Sequence, residues 1–282
     1  MTCKAWVLLD ADTGKTLSAF DGDRRIAPAS LTKMMTTLII LEHCQGQPKL
    51  FKEKVRVSMR AAGIGGTTAA LQAGETYRVL DLLYGVMLPS GNDASMALAE
   101  HFGKKPDLRL ADNGPVSVDG PPHKRFMTAM NARAAEMGLT ATEFHNPHGL
   151  FHKNHMSTAW DMAVLQSEAS REPLYRKIVA TRRHKCTTHP SRAKKGKRQK
   201  VKVRKQSWTN TNQLLWDQGV DQWEGGKTGW LGNCHGQKIH GCLAATMRRG
   251  DRRVNAILLG SEGRSQRFAD MKRLVARTLD DL

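Results

Sequence analysis

Residues 28–34 read Pro28-Ala29-Ser30-Leu31-Thr32-Lys33-Met34, and an apolar stripe runs on through Leu31, Met34, Met35, Leu38, Ile39 and Leu41. This pattern predicts a helix from Ser30 to about Cys44 whose stripe is too wide for a surface helix, so it belongs at the centre of the protein. Ser30 and Lys33 are three residues apart and share one helical face. A serine hydroxyl at neutral pH is a weak nucleophile and needs a base beside it. A helix N-terminus favours negative charge and disfavours an ammonium, which lowers the Lys33 pKa and suits it to take the Ser30 proton. An N-cap serine followed by an exposed lysine is the plain alternative for an isolated pair.

Two further polar motifs follow in order. Pro89 ends a predicted helix, Val79–Met87, and leaves Ser90-Gly91-Asn92 in a tight turn before the helix Ala94–Phe102, which Asn92 or Asp93 can cap. In such a turn the Ser90 hydroxyl can face a cleft and relay a proton from Lys33 to a leaving amine, while the Asn92 amide can hold a substrate backbone. A turn that needs only a capping Ser or Asn is the plainer reading of that motif alone. Lys227-Thr228-Gly229 lies on a predicted strand after Gly225-Gly226, where glycines let a peptide pair with the backbone. Lys227 and Thr228 can bind a carboxylate there, and the Trp230 and Ser30 N–H groups can form an oxyanion hole.

Together, Ser30-x-x-Lys33, Ser90-Gly91-Asn92 and Lys227-Thr228-Gly229 resemble the motif set of penicillin-recognising serine enzymes. Four longer blocks resemble the low-molecular-mass penicillin-binding proteins, the D-alanyl-D-alanine carboxypeptidase family. They are Pro28–Met34, Leu88–Ala94, His148-Gly149-Leu150 and Thr209–Leu215. The resemblance implies an α+β, β-lactamase/DD-peptidase-like fold: a five-stranded antiparallel sheet and a helical subdomain, with the active site between them. It implies no metal and no organic cofactor. The expected reaction removes terminal D-Ala from peptidoglycan stem peptides ending in D-Ala-D-Ala, through an acyl-enzyme on Ser30 that β-lactams also form. Lys33, Ser90 and Asn92 complete the implied catalytic set, and Lys227, Thr228, Gly229 and Trp230 the substrate-binding set. Arg267 matches a family arginine near the substrate carboxylate, or else is a surface arginine capping a helix. His148 either lines the cleft or is a buried structural histidine.

The rest of the chain reads as one catalytic domain, 1–282. An N-terminal hairpin (Ala5–Leu9 and Thr16–Phe20) precedes a helical subdomain at about 30–180, and antiparallel strands and a closing helix, Gln266–Leu279, follow Thr181. A helix capped by Ser157, with Trp160, Met162, Ala163 and Leu165 inward, ends the helical part. The 282 residues carry a net charge of +18. Arg182–Lys205 holds twelve Lys/Arg and no acid, leaving the other 258 residues at only +6. Such a tract attracts polyanions or is simply a solvated loop. The loop Trp230–Gly241 is longer than the family's and holds Cys234, His235 and His240, at a spacing that fits no standard zinc motif. Five scattered cysteines make no disulfide framework. No apolar run is long enough to span a bilayer, and no signal peptide, C-terminal β-domain or membrane anchor is expected; an extracytoplasmic location follows only from the implied wall substrate. A peptidoglycan DD-endopeptidase is the nearest alternative activity. A class A β-lactamase lacks support because no E-x-x-L-N segment is present, and a non-catalytic polyanion-binding protein is the alternative of another class.

Overall fold

The computed structural model describes residues 1–105, 108, 120–188, 203–219, 222–232 and 240–280. The chain opens with the antiparallel pair β1 (Ala5–Asp10) and β2 (Thr16–Phe20). After a 3-10 turn, Ala29–Leu31, comes α1 (Thr32–Cys44), followed by β3 (Lys54–Arg56), α2 (Met59–Ala62), β4 (Thr76–Arg78), α3 (Val79–Met87) and α4 (Asn92–Phe102). Next come α5 (Pro122–Glu136), α6 (Ala159–Ala169), α7 (Pro173–Ala180) and the pair β5 (Arg183–Thr187) and β6 (Lys205–Thr209). Three long strands, β7 (Gln222–Leu231), β8 (His240–Arg249) and β9 (Arg252–Ser261), precede the last helix, α8 (Gln266–Asp280).

The main sheet has the order β2-β1-β9-β8-β7, and its strand pairs are antiparallel. The α+β architecture read from the sequence is the one observed. Alternation along each strand divides the core between two layers of helix. Ala5, Val7, Leu9, Cys242, Ala244, Ile257 and Leu259 face the helices of residues 32–180. Leu8, Leu243, Ala245, Met247, Val254, Ala256 and Leu258 face α8, which meets them with Phe268, Met271, Leu274 and Val275. In α1 only Glu42 escapes full burial, so this helix is enclosed by other elements on every side, as its wide apolar stripe requires.

Several local expectations need correction. The strands that flank the basic tract are not among them: β5 and β6 pair with each other as the hairpin expected there, in a two-stranded sheet of its own, and lie against the helical part. Trp208 Nε1 donates to Ala69 O at 2.9 Å, and Arg204 pairs with Glu75 at 2.7 Å. Residues 189–202 of the tract lie outside the described part. The cap of α6 is Thr158, whose hydroxyl accepts from Asp161 N; Ser157 instead bridges to Ile26. Trp160 is only half-buried. The small β3–β4 sheet and helix α7 have no counterpart in the sequence reading. Among the described residues Cys3, Cys44, Cys186 and Cys242 are free, and no helix is long and apolar enough to cross a membrane.

Asp93 does not cap α4 in the way the sequence suggested. Its buried carboxylate pins the preceding loop, accepting from Ala69 N at 2.8 Å, Leu71 N at 3.0 Å and Thr68 Oγ1 at 2.6 Å. Asp93→Ala strips the partner from two buried backbone donors and from the exposed Thr68 hydroxyl at once. Hydrogen bonds to charged groups contribute roughly 1.5–3 kcal/mol each, so a loss of about 3 kcal/mol or more in urea unfolding is expected. An unchanged unfolding midpoint would show that the loop is held by other contacts.

Candidate active site

The 3-10 turn Ala29–Leu31 presents Ser30 at the entrance to α1. Ala29 has φ of +52°, a left-handed conformation unusual for a residue with a Cβ, so the backbone before Ser30 is under strain. Two glycines permit the crowding around it. A Cβ on Gly149 would stand 1.9 Å from Ala29 O, and its φ is +84°. A Cβ on Gly229 would meet the Ala29 Cβ and Pro28 O at 3.1 Å each, so any larger residue there would press β7 away from the turn by a few tenths of an ångström.

Lys33 is fully buried and its Nζ has three neighbours: Ser30 Oγ at 2.9 Å, Asn92 Oδ1 at 2.7 Å and His148 O at 2.7 Å. None of the three is ionised. Burial, with the Lys227 charge acting in the same direction, holds Lys33 well below the ordinary lysine value. A neutral amine has two N–H groups and one lone pair. Two carbonyl-type oxygens take the former, and the lone pair is left for the Ser30 hydroxyl.

Ser30, Ser90, Thr228, Gly229, Trp230 and Arg267 line one cavity of about 90 Å³, joined by Thr67, Thr211 and Arg264. Ser90 has φ of +62°, and its buried hydroxyl has no hydrogen-bond partner among the described residues. The expected relay from Lys33 to Ser90 is therefore not formed, because the three contacts of Lys33 Nζ lie elsewhere. A larger cavity, about 480 Å³, lies between β3 and α4. It holds no serine–base pair, and its Ser58 is committed to capping α2.

Other expected site residues take different positions. Asn92 does not offer its amide to the cavity: Oδ1 accepts from Lys33 and Nδ2 donates to Gly65 O at 2.7 Å. Lys227 is fully buried, donates to Thr228 O at 2.8 Å, and is not among the cavity-lining residues. Its burial and the neighbouring Arg267 charge lower its pKa strongly. Direct carboxylate binding by Lys227 thus gives way to a buried amine that holds the Thr228 carbonyl behind the strand. Arg267 is no surface cap. It is 7% exposed, donates to Gly229 O, and burial pulls its guanidinium down to about 10. His148 is a buried structural histidine that serves Lys33 through its carbonyl; burial and then the Lys33 charge push its ring down to about 3. His240 lies with Nε2 3.1 Å from Ala27 O, and Cys234 and His235 lie outside the described part.

Three cavity residues escaped the sequence reading. Thr211 Oγ1 lies 2.7 Å from Thr228 Oγ1; its signal was present in the Asn210-Thr211-Asn212 segment, without a role attached. Arg264 sits 5.1 Å from the centre of the Trp230 ring, a cation–π contact made by the turn between β9 and α8. Nothing local in the sequence marks Arg264 or Thr67.

The loop carrying His148 also holds His155, which burial and the nearby His145 and His152 push down to about 3. Its Nδ1 accepts from His145 N at 3.2 Å, so Nε2 carries the proton toward Thr32 Oγ1 at 2.8 Å. Both folded values lie below the free imidazole value of 6.5. Between these limits the unfolded chain binds more protons, so stability falls as pH drops from 6.5 toward 3. Each histidine should remove about 2 kcal/mol between pH 7 and pH 5. Urea unfolding across that range measures it, and His155→Gln should flatten the slope by roughly half.

A family model described as D-alanyl-D-alanine carboxypeptidase, peptidase S11, matches residues 1–107 and 117–263. The D-alanyl-D-alanine carboxypeptidase DacF of Bacillus subtilis (strain 168) is 32% identical over 274 residues, 96% of this chain and 61% of that protein. DacC of Escherichia coli (strain K12), which bears the same enzyme name, is 28% identical over 280 residues, 96% of this chain and 60% of its own length. The chain thus spans about three-fifths of these relatives. Among solved structures, the Streptomyces K15 DD-transpeptidase superposes with a TM-score of 0.81 at 26% identity, covering 99% of this chain and 98% of that one. Penicillin binding protein 5 from Haemophilus influenzae gives 0.76 at 28% identity, covering 98% of this chain and 70% of that one. With the serine–lysine pair at the mouth of the central helix and the match running over most of its length, the chain belongs to the peptidase S11 family, the D-alanyl-D-alanine carboxypeptidases.

Proposed function

We propose that the protein is a serine D-alanyl-D-alanine carboxypeptidase that removes terminal D-Ala from peptidoglycan stem peptides. The observation that carries this reading is the 2.9 Å contact between Lys33 Nζ and Ser30 Oγ, with the two N–H groups of the neutral amine fixed on Asn92 and His148. Neutral Lys33 takes the Ser30 proton as Oγ bonds to the carbonyl carbon of the penultimate D-Ala. The developing oxyanion lies at the positive end of α1, beside the Gly229–Trp230 backbone. Ser90 faces the same cavity and hands its hydroxyl proton to the departing amine as the peptide bond breaks; protonated Lys33 then reprotonates Ser90 and is neutral again. Lys33 next takes a proton from the water that attacks the ester carbonyl and gives it to Ser30 Oγ as the acyl C–O bond breaks. Arg267, with Thr228 and Thr211 beside it, receives the C-terminal carboxylate through charge-assisted hydrogen bonds.

β-Lactams should acylate the same serine, and an extracytoplasmic site of action follows from the wall substrate. The DD-endopeptidase alternative has no observation in its favour, whereas the relatives' names indicate carboxypeptidases. A polyanion contact through 182–205 rests on charge alone. Arg204 is paired with Glu75, which takes one of the twelve cations out of any such surface.

Intact-protein mass after benzylpenicillin treatment tests the nucleophile. An increase by one penicillin mass, or penicillin hydrolysis in the same tube, is expected for the native chain and neither for Ser30→Ala; an inert but folded native chain would refute the enzyme reading. The acylation rate should rise with pH and level off well below the ordinary lysine value of 10.5, because only the neutral amine acts as base. Arg267→Ala should lower kcat/KM for D-Ala release from a free-acid pentapeptide by roughly 10–100-fold. The C-terminally amidated peptide, already poor, should change little.

A further inference from the structure

Away from the cavity, the β5–β6 hairpin sets two side chains against the first turn of α3. His184 and Cys186 are two residues apart on β5 and face the same way, while Arg183, Lys185 and Thr187 are exposed. Asp81 meets them from α3. One ligand-capable atom from each of Asp81, His184 and Cys186 lies within 4.8 Å of the other two, and His184 Nε2 is 2.9 Å from Asp81 Oδ1. The imidazole is already oriented: it stacks on Tyr84, one helical turn beyond Asp81, with ring centres 3.9 Å apart and planes 5° from parallel. The Trp208 ring, directly across the hairpin, lies 6.1 Å away. The His184 and Asp81 side chains are 20% and 16% exposed, so the cluster is sheltered and still reachable from solvent.

We propose that Asp81, His184 and Cys186 form a transition-metal site of the zinc class, with three protein ligands and a water completing the tetrahedron. The donor set decides the metal. Thiolate and imidazole favour Zn²⁺ and its first-row neighbours, whereas Mg²⁺ and Ca²⁺ want oxygen alone. Charge also balances, since a dication with one thiolate and one carboxylate is neutral, which suits a half-buried site. At bond lengths of roughly 2.0–2.3 Å, tetrahedral ligands stand about 3.3–3.8 Å apart. With all spacings within 4.8 Å and the His184–Asp81 pair at 2.9 Å, tetrahedral spacing needs at most about 1 Å of side-chain adjustment, Asp81 easing away from the imidazole and Cys186 closing on it.

On binding, Cys186 releases its thiol proton to solvent and forms an S–metal bond. His184 shifts its ring proton from Nε2 to Nδ1 and coordinates through Nε2. Burial and the nearby Asp81 charge push the free thiol up to about 12, so affinity should increase with pH. The metal would join α3 to the hairpin, and these same two segments meet again at the cavity. Thr211, just after β6, donates its N–H to Leu88 O, just after α3, at 3.0 Å.

Cobalt(II) titration of the whole chain tests the assignment. One equivalent should produce a thiolate-to-metal charge-transfer band and the intense visible bands of tetrahedral geometry, both bleached by Zn²⁺. Cys186→Ser should abolish the charge-transfer band, and Asp81→Asn and His184→Gln should each weaken Zn²⁺ affinity against a chromophoric chelator by more than about 10-fold. Benzylpenicillin acylation and circular dichroism of each variant report that it is folded, since none of the three residues lines the cavity. Absence of the band in the native chain, its survival in Cys186→Ser, or its loss in Cys234→Ser alone would each overturn the proposal.

Discussion

An ammonium group buried among uncharged acceptors is the constraint on which the site depends. Transferring a charged lysine from water into a packed interior carries a desolvation cost of several kcal/mol, which the protein lowers by letting the group lose its proton. Lys33 meets a hydroxyl, a side-chain amide oxygen and a peptide carbonyl, and none of them holds the charge in place. The surrounding structure makes this arrangement rigid. Asn92 is fixed by Gly65 O, the loop beyond Gly65 is fixed by Asp93, and the His148 carbonyl comes from a segment that Thr36 ties down through Pro147 O at 2.7 Å.

The same economy appears across the cavity. Burial and the Arg267 charge disfavour the Lys227 ammonium as burial does that of Lys33, whereas Arg267 stays charged with no acid among its described hydrogen-bond partners, so positive potential gathers on its wall. The N-terminal end of α1 offers a second positive pole on the other side of the cavity. Electrostatic preorganisation of this kind needs a sheet stiff enough to keep a buried charge in place. The antiparallel sheet, covered on both faces, provides it.

Much of this was legible in the sequence where local pattern and packing agree. Helix 79–87 and strand 16–20 are found at their expected limits, because a proline, a glycine turn and a clear periodicity bracket them. Ser30, Lys33 and Ser90 were legible as a constellation because their motifs sit at element ends. What remained hidden depends on partners distant in sequence. Asn92 reads equally well as a cap or as a substrate amide until Lys33 and Gly65 are seen on either side of it. The burial of Arg267 is decided by β7, and the β5–β6 hairpin leaves the main sheet because Trp208 and Arg204 find partners at Ala69 and Glu75.

The order of strands in the main sheet bears on how the molecule is made. Val7 pairs with Ile257, so this apolar strand is synthesised some 250 residues before its central neighbour. At about 5–20 residues per second, that interval is on the order of 10–50 s. During it, Ala5-Trp6-Val7-Leu8-Leu9 is paired on one edge by the short β2 and open on the edge that β9 will take, and an open strand edge of this composition adheres to other chains. A nascent chain of this topology is therefore a natural client for a holdase until β9 arrives to close the sheet.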